Sequence, residues 1–462
     1  MEPSETPSTR SSTGPPATPG LETPAVANGS SETQEAPEAA SPTTKKLGAL
    51  LRRTLPFVFA CLVAYTLEHS VLKKIGGHDD SSPVLQGLFS FRDFYGYAVS
   101  SWPRELVPRY TVVIHIASDA DPTTRGLANN ICQQREYLAA LLPAITSREP
   151  ALVVIDKYFT AGGCTLEAPT KALQRSIAEA STRVSIVVGL NLERGEHVDA
   201  RAQLPPLLIP PLQLEESSAI RAGVVNRDIS PRRIPLGWTV RTGPEAKIEW
   251  RNGLALEAAL AREPKLFEKA PRLQALKSER DNPFTSIIPE KLFTILKASD
   301  VLCTDKVAAE IFKAACATAT RPVTDASYLR GRIAIVGETG SSVDRHDTNV
   351  VGEMPGTVLQ ANYVEALLDE RYFVPAPEWF DYLAGFLFFV ALEFSLRGRR
   401  PIRSLGLVVL VVAVTFGLLS LGARYFGYYV DPAVSVLVLV FMLIAWIREM
   451  IAYGWEASHA SQ

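Results

Sequence analysis

The chain has 462 residues, enough for one sizeable core and accessory segments. Its 47 lysines and arginines nearly balance its 49 aspartates and glutamates, and basic clusters occur only beside apolar segments, which excludes a nucleic-acid-binding protein. Apolar residues concentrate near residue 60 and after residue 378, a pattern typical of a membrane protein rather than of a large soluble one.

Residues 1–44 are rich in Pro, Ser, Thr, Glu and Ala and contain almost no large apolar side chains. Such a segment cannot bury enough surface to offset its chain entropy, so we predict a disordered tail. A secretory signal peptide would place its charged and apolar regions close to residue 1, and the tail therefore argues against one.

Four apolar stretches are candidate transmembrane helices. The first lies within residues 45–71, where a basic flank precedes an apolar run from Thr54 that is short for a bilayer. The others cover residues 379–396, 404–423 and 432–448, and residues 449–462 form a short tail after the last.

Lysine and arginine clusters at residues 45–53 and 397–403 indicate the orientation, because such clusters accumulate on the cytoplasmic side of membrane helices. Both termini are then cytoplasmic, and residues 72–376 lie outside the cytoplasm. We therefore predict a multi-pass membrane protein in contact with lipid, with an extracytoplasmic central domain.

Four cysteines fall in the exported region, where an oxidising compartment permits disulfides. They are Cys132, Cys164, Cys303 and Cys316. If residues 303–316 form one continuous helix, its ends lie about 20 Å apart, which excludes a bond between Cys303 and Cys316. This favours bonds between early and late cysteines, although unpaired thiols stay possible. The spacing gives little support to a zinc site.

Four apolar runs rich in Val and Ile begin at Tyr110, Ala151, Arg183 and Gly331. Such runs predict strands buried on both faces, as in a parallel sheet covered by helices. Helical patterns separate the first three runs, so we predict a layered α/β fold with a mostly parallel sheet. Prolines and charged runs in residues 193–327 predict an insertion of loops, edge strands and helices rather than another crossover unit.

In sheets of this kind, ligands gather beyond the carboxyl ends of the strands. The candidate crevice comprises Asp119, Asp156, Asn191, Gly337, Asp344, His346 and Asp347. Asp156 could equally cap a helix or accept hydrogen bonds in a turn.

The segment 337–362, "GETGSSVDRHDTNVVGEMPGTVLQAN", follows the last predicted strand. It lacks the lysine and hydroxyl pair of a phosphate-binding loop and the glycine spacing of a dinucleotide site. Asp344, His346 and Asp347 could ligate a metal, but turn chemistry requires the same residue types. We therefore predict neither a metal nor a cofactor here.

This segment resembles the carboxyl-terminal signature of the CHASE domain of the second type, an extracytoplasmic sensory domain of bacterial cyclases and histidine kinases. The resemblance comprises a strand ending in glycine, a loop aspartate, a Met-Pro-Gly turn and a helix with an Ala-Asn pair. The matching residues are Gly337, Asp344, Met354, Pro355, Gly356, Ala361 and Asn362.

The similarity brackets residues 85–375 and includes Asp93, which resembles an aspartate of the family's short helix outside the first span. It implies three closing membrane helices. The family's acidic pair after the first strand is replaced here by Ala117 and Ser118 before Asp119, and "NICQQREYL" replaces its Trp-Pro and Arg pattern. These departures put the family's ligand in doubt for this chain.

The resemblance and the topology favour a bacterial inner-membrane protein whose periplasmic domain senses an unknown small-molecule or envelope ligand. Because residues 449–462 hold no output domain, we expect the signal to pass to a separate signalling or envelope protein. A structural or docking subunit of an envelope complex is the alternative.

A hydrolase using Asp119, Asp156, Asp344 and His346 is a third hypothesis, but no G-x-S-x-G or H-E-x-x-H motif occurs. Because fold class alone implies no chemistry, we predict that the protein is not an enzyme and assign no catalytic residue.

Overall fold

The computed structural model describes residues 54–63, 106–116, 130–159, 164–193, 197–199, 202–203, 207–209, 214, 216–225, 233–242, 247–276, 282–304, 310, 312, 316, 326–340, 344–348, 351–396 and 401–459. The predicted tail, its basic flank, Asp93 and Asp119 lie outside these ranges.

The described strands, in chain order, are β1 (Thr111–His115), β2 (Leu152–Tyr158), β3 (Ser185–Glu193), β4 (His197–Asp199), β5 (Ala202–Gln203), β6 (Leu207–Ile209), β7 (Ile220–Val224), β8 (Gly237–Thr242), β9 (Lys247–Asn252), β10 (Phe284–Thr285), β11 (Ile295–Lys297), β12 (Ile333–Gly337), β13 (Arg345–Asp347), β14 (Glu353–Pro355), β15 (Tyr372–Pro375) and β16 (Tyr428–Tyr429).

The described helices are α1 (Thr54–Val63), α2 (Ile131–Thr146), α3 (Glu167–Ser181), α4 (Leu254–Arg262), α5 (Leu266–Lys269), α6 (Pro271–Ala275), α7 (Ala298–Leu302), α8 (Gly356–Leu368), α9 (Glu378–Leu396), α10 (Pro401–Phe426) and α11 (Ala433–His459). Single 3-10 turns occur at Glu290–Leu292 and Ala326–Tyr328.

Six strands form a parallel sheet in the order β11-β1-β12-β2-β3-β7. Val113 and Val154 face one layer that contains α4 and α8, whereas Val112 and Ile155 face the opposite layer with α2, α3 and α7. All four side chains are buried. A sheet covered on both faces explains the continuous Val and Ile runs, and it confirms the predicted layered α/β fold.

Residues 193–327 contribute edge strands and helices, as predicted, but the prediction that they add no crossover unit was wrong, because two of their strands extend the parallel sheet. β7 pairs in parallel with β3, and β11 pairs in parallel with β1. β6 pairs with the far end of β3, and the β8–β9 hairpin follows beside β6. The sequence pattern missed this extension because β7 and β11 are short and only partly buried.

Two disulfides correct the pairing predicted from the sequence. Cys132 bonds to Cys164 with a Cα–Cα distance of 5.1 Å, and Cys303 bonds to Cys316 at 5.5 Å. The predicted bonds between early and late cysteines were wrong. The assumption of one helix over residues 303–316 failed because α7 ends at Leu302, so Cys303 lies beyond its last turn.

Three helices at the carboxyl-terminal side are long and apolar enough to cross a membrane: Trp379–Leu396, Ile402–Phe426 and Ala433–Ile451. α1 is a shorter apolar helix whose Phe57 and Phe59 rings pack on α9 and α11, 5.4 Å from Phe386 and 5.0 Å from Phe441 between centroids. The amino-terminal span stays a prediction.

Candidate functional site

The carboxyl edge of the parallel sheet carries a polar cluster that we call the edge cluster, formed by His115, Lys157, Glu338 and Thr339. The register of β1 and β12 pairs His115 with Gly337, which brings the ends of these strands level. Lys157 Nζ lies 2.6 Å from Glu338 Oε2, and the two side chains are 24% and 15% exposed. The cluster therefore presents both signs of charge at a partly accessible edge.

The hydrogen bonds of His115 identify which of its two ring nitrogens accepts and which carries the proton. The Thr339 backbone N–H donates to Nδ1 of His115 at 3.2 Å, and the Thr339 hydroxyl lies 2.9 Å from the same atom. A nitrogen that accepts from an amide carries no proton, so the neutral imidazole holds its proton on Nε2. The two bonds to Nδ1 fix the orientation of the His115 ring at the sheet edge.

The connection between β12 and α8 is a β-hairpin that leads into a helix. β13 and β14 pair antiparallel, with His346 opposite Met354. Asp344 Oδ1 lies 3.1 Å from His346 Nε2, and the Asp344 carbonyl accepts from the Gly356 amide at 2.9 Å. Asp347 lies opposite Glu353 and is exposed. Asp344 thus links the hairpin to the start of α8.

Gly337 allows α8 to approach the end of β12 closely. A Cβ atom on Gly337 would overlap the Thr357 side chain, and the Thr357 hydroxyl donates to the Glu338 carbonyl at 3.1 Å. The glycine is required by this close approach and not by a turn. The first turn of α8 therefore contacts the backbone of the edge cluster.

The Met-Pro-Gly turn and the Ala-Asn pair are buried and serve the fold. Asn362 is fully buried, and its Oδ1 accepts from the Ile288 amide at 2.6 Å, while its Nδ2 donates to the Ile288 carbonyl at 3.2 Å. Met354 Sδ lies 3.3 Å from the same Nδ2. Pro355 directly precedes α8, and Ala361 is fully buried. The Asn362 side chain thus bonds to both the amide and the carbonyl of Ile288, as the backbone of an adjacent β-strand would.

Sequence reasoning missed Glu365, a fully buried carboxylate near the end of α8. Its Oε1 accepts from the amides of Tyr110 and Thr111, both at 2.7 Å, and from the Thr111 hydroxyl at 2.8 Å. Its Oε2 accepts from the Arg109 amide at 3.0 Å. Burial, with Asp369 nearby, raises the pKa of Tyr110. The only sequence signal for this role was a single glutamate within the otherwise apolar run "YVEALL".

The model of the CHASE2 domain, a sensory domain family, matches residues 87–394, about two thirds of the chain. This chain belongs to the CHASE2 family. The resemblance predicted from the 337–362 segment is thereby confirmed. Searches among curated proteins and among solved structures found no match. The CHASE2 match extends through most of α9, so the family unit includes the first of the three apolar helices.

Within the CHASE2 domain, the predicted crevice residues lie on different elements. Asp156 is half-buried in β2, where the pairing with β3 shifts register. Asn191 lies in the far part of β3, opposite Ile209 of β6. Gly337 lies beside the edge cluster, and the structure brings Asp344 and His346 together on the hairpin.

His115, Lys157 and Glu338 were not predicted as site residues, although the sequence carries a signal for them. His115 and Lys157 lie at or next to the last residues of β1 and β2, and Glu338 directly follows β12. The rule that selected Asp156 and Gly337 applies equally to them. Within the described ranges, no three His, Cys, Asp or Glu side chains converge as a metal site requires.

Gln360 is a further polar side chain near the start of α8. It is 1% exposed, and neither amide atom has a hydrogen-bond partner in the described part of the chain. Residues three apart are neighbours on a helix, so Gln360 lies beside Thr357. A buried amide without partners is costly and indicates a group, such as water or a ligand, that completes its bonds.

Proposed function

We propose that this protein is a bacterial membrane sensor. Its CHASE2 domain lies outside the cytoplasm, binds a small-molecule or envelope-derived ligand at the edge cluster, and passes the signal through the apolar helices to a separate partner protein. It acts by binding and not by catalysis.

Two observations support the extracytoplasmic location of the domain. Its two disulfides fit an oxidising compartment, since thiols stay reduced in the cytoplasm. The beginning of α9 and the end of α10 both lie beside the domain, because β15 and β16 pair there. The far ends of these two helices, Leu396 and Pro401, then lie on the opposite side, and the arginines between them in the sequence agree with a cytoplasmic location under the positive-inside rule.

The edge cluster supports ligand binding at the carboxyl edge. Lys157 and Glu338 offer a cation and a carboxylate, and the amide of Gln360 has no hydrogen-bond partner among the described residues. The disulfide between Cys132 and Cys164 joins the first turn of α2, the helix that follows β1, to the segment between β2 and α3. It stiffens the rim of this edge. A polar ligand with both donors and acceptors would suit these groups.

The contacts at the two ends of α8 carry the proposal. Near its start, Thr357 bonds to Glu338 of the edge cluster, and near its end, Glu365 bonds to the first residues of β1. A helix of 13 residues is about 20 Å long, so one rigid element spans the domain from the ligand edge to the side where β15 and α9 begin. If α8 can adopt two placements and the ligand binds the domain more tightly in one of them, the ligand shifts the domain towards that placement.

Thermal unfolding of the full chain in lipid nanodiscs tests ligand binding. Pools of metabolites and of peptidoglycan fragments are added, and we expect at least one pool to raise the Tm, since a ligand at a hundred times its Kd stabilises by about 2.7 kcal/mol. The double variant Lys157→Gln/Glu338→Gln should lose the shift. Lys171→Gln, at an exposed site on α3, is the matched control and should keep it.

Two results would contradict ligand binding at this edge: no pool stabilises the folded chain, or the double variant retains the full shift. Crosslinking in native membranes with mass spectrometry then tests the partner. A neighbouring kinase or cyclase agrees with sensing, whereas envelope proteins alone would indicate a docking subunit.

A further inference from the structure

A three-stranded sheet, which we call the clamp sheet, joins the α/β domain to the connection between α10 and α11. Its strand order is β10-β15-β16. β10 belongs to the domain, β15 leads into α9, and β16 lies in the α10–α11 connection. The Val374 amide donates to the Gly427 carbonyl at 3.0 Å, and the Ala376 amide donates to the Tyr429 carbonyl at 2.7 Å. Backbone hydrogen bonds therefore bind the connection to the domain.

Arg272 of α6 adds a side-chain contact from the domain. Its guanidinium donates to the Phe426 carbonyl and lies 5.8 Å from the centre of the Tyr428 ring. Gly427 has a φ of 68°, and a Cβ atom there would overlap the Arg272 guanidinium. Glycine is thus needed at this position both for its backbone conformation and for the approach of the arginine.

Aromatic packing closes the same junction. The rings of Phe284 and Tyr429 lie 4.4 Å apart, and the Arg233 guanidinium lies 4.4 Å from the Phe284 ring centre. Phe284, Tyr429 and Ala423 of α10 are almost fully buried together. The domain and the end of α10 therefore share a small apolar core.

The beginning of α9 is hydrogen-bonded to the α10–α11 connection. Asp381 Oδ1 accepts from the Asp431 amide at 2.9 Å, and Asp431 Oδ1 accepts from the Ala433 amide at the start of α11. One junction thus contacts all three apolar helices.

We infer that the clamp sheet couples the α/β domain directly to α10 and α11, so that movement of the domain reaches this helix pair without passing along α9. The role of this coupling in signalling rests on the proposed sensor function. The coupling itself is reciprocal: loosening either side of the junction loosens the other, because both sides share the same contacts.

Hydrogen exchange of the full chain in lipid nanodiscs, read by mass spectrometry, tests the coupling without any ligand. We expect Arg272→Ala to raise the exchange of the Val374 and Ala376 amides about tenfold, the effect of losing roughly one hydrogen bond. Tyr429→Ala, on the helix side, should raise the exchange of the Phe284, Thr285 and Ser286 amides of the domain. Arg262→Ala, an exposed arginine on α4, is the matched control and should change neither region.

A glycine pair provides a second comparison. Gly427→Ala should loosen the clamp sheet as Arg272→Ala does, whereas Gly422→Ala should not, since a Cβ atom at Gly422 meets open space. A flexible glycine-serine insertion after Pro377 keeps every clamp contact and lengthens only the covalent link to α9. We expect the Val374 and Ala376 amides to remain protected in that variant.

The inference is overturned if Arg272→Ala and Gly427→Ala leave these amides at the wild-type rate, or if Tyr429→Ala loosens only its own connection. It is also overturned if the insertion alone removes the protection, because the clamp sheet would then depend on α9. The hydrogen-exchange experiment contains no ligand, so its result is independent of the thermal-unfolding test of ligand binding. Either proposal can therefore fail without the other.

Discussion

At the residue scale, buried polar side chains divide into those that complete the fold and those that remain available. Asn362 and Glu365 are fully buried and satisfy backbone groups of distant segments. Lys157 and Glu338 are partly exposed and pair with each other at the sheet edge. Hydrogen bonds to distant backbone groups therefore mark Asn362 and Glu365 as structural residues, whereas Lys157 and Glu338 lie where a ligand can reach them.

Asn362→Ala should lower the free energy of unfolding by about 3 kcal/mol, because the amide and the carbonyl of Ile288 both lose a buried partner. Urea unfolding of the full chain in nanodiscs measures the change. Gln274→Ala, at an exposed position of α6, is the control and should be neutral. A loss below about 1 kcal/mol for Asn362→Ala would refute the structural role.

The raised pKa of Tyr372 predicts that the folded protein loses stability at alkaline pH. Burial first, and Glu370 second, raise its pKa to about 12, while Arg272 opposes this shift. The unfolded pKa is about 10, so the folded state holds the proton more tightly. This contribution is complete below about pH 10 and is lost as the pH rises towards 12.

Comparing the Tm at neutral and alkaline pH for wild type and Tyr372→Phe measures this contribution. The phenylalanine variant should lose less stability between the two conditions, because it has no proton to release. Equal losses in both proteins would show that Tyr372 does not titrate in the folded state as described.

At the element scale, α8 is distinctive because it is buried on every side from Gly356 to Leu367. It packs on β1 and β12, on α4 and on the segment that contains Ile288. A helix enclosed in this way shows no single apolar stripe, so periodicity alone does not reveal which face meets the sheet. Glu365 and Thr357 reveal it through their hydrogen bonds.

The two disulfides should differ in their contribution to stability. Replacing Cys132 and Cys164 by alanine should cost about 4 kcal/mol, and replacing Cys303 and Cys316 about 3 kcal/mol, because the sequence separations are 32 and 13. Urea unfolding of both double variants without reductant measures the order. A larger loss for the shorter loop would contradict the unfolded-chain entropy as its cause.

At the scale of the whole molecule, the described part of the chain joins the domain to the apolar helices through the clamp sheet and the contacts beside it. The beginning of α9 and the α10–α11 connection lie at the domain, and residues 397–400 connect the far ends of α9 and α10. The proposed orientation, with the domain outside the cytoplasm, is the one that the positive-inside rule gives for the arginines at residues 397–400.

Reporter fusions test this orientation. Alkaline phosphatase should be active when fused after Pro377 or Gly427 and inactive after Arg399, because the enzyme folds only outside the cytoplasm. A fluorescent protein fused after Gln462 should fluoresce. Replacing Arg397, Arg399 and Arg400 by glutamine should weaken the orientation. Phosphatase activity at Arg399 with none at Pro377 would reverse the topology and remove the sensor proposal.

The four core strands and the three apolar helices could be predicted because their signals are local. Consecutive Val and Ile residues bury both faces of a strand wherever it lies in the sheet, and a long apolar run suffices for a membrane helix. β7 and β11 escaped prediction because they are short and partly exposed, and their parallel pairing involves segments far apart in sequence.

The sequence by itself determined the layered α/β class, the CHASE2 resemblance and the three apolar helices, since each depends on the order of neighbouring residues. Only the tertiary structure decided the disulfide partners, the pairing of Lys157 with Glu338, the buried roles of Asn362 and Glu365, and the clamp sheet. These depend on where the chain turns and which distant segments then meet. Residues 272 and 427, far apart in sequence, come into contact only after the domain has folded onto the helices.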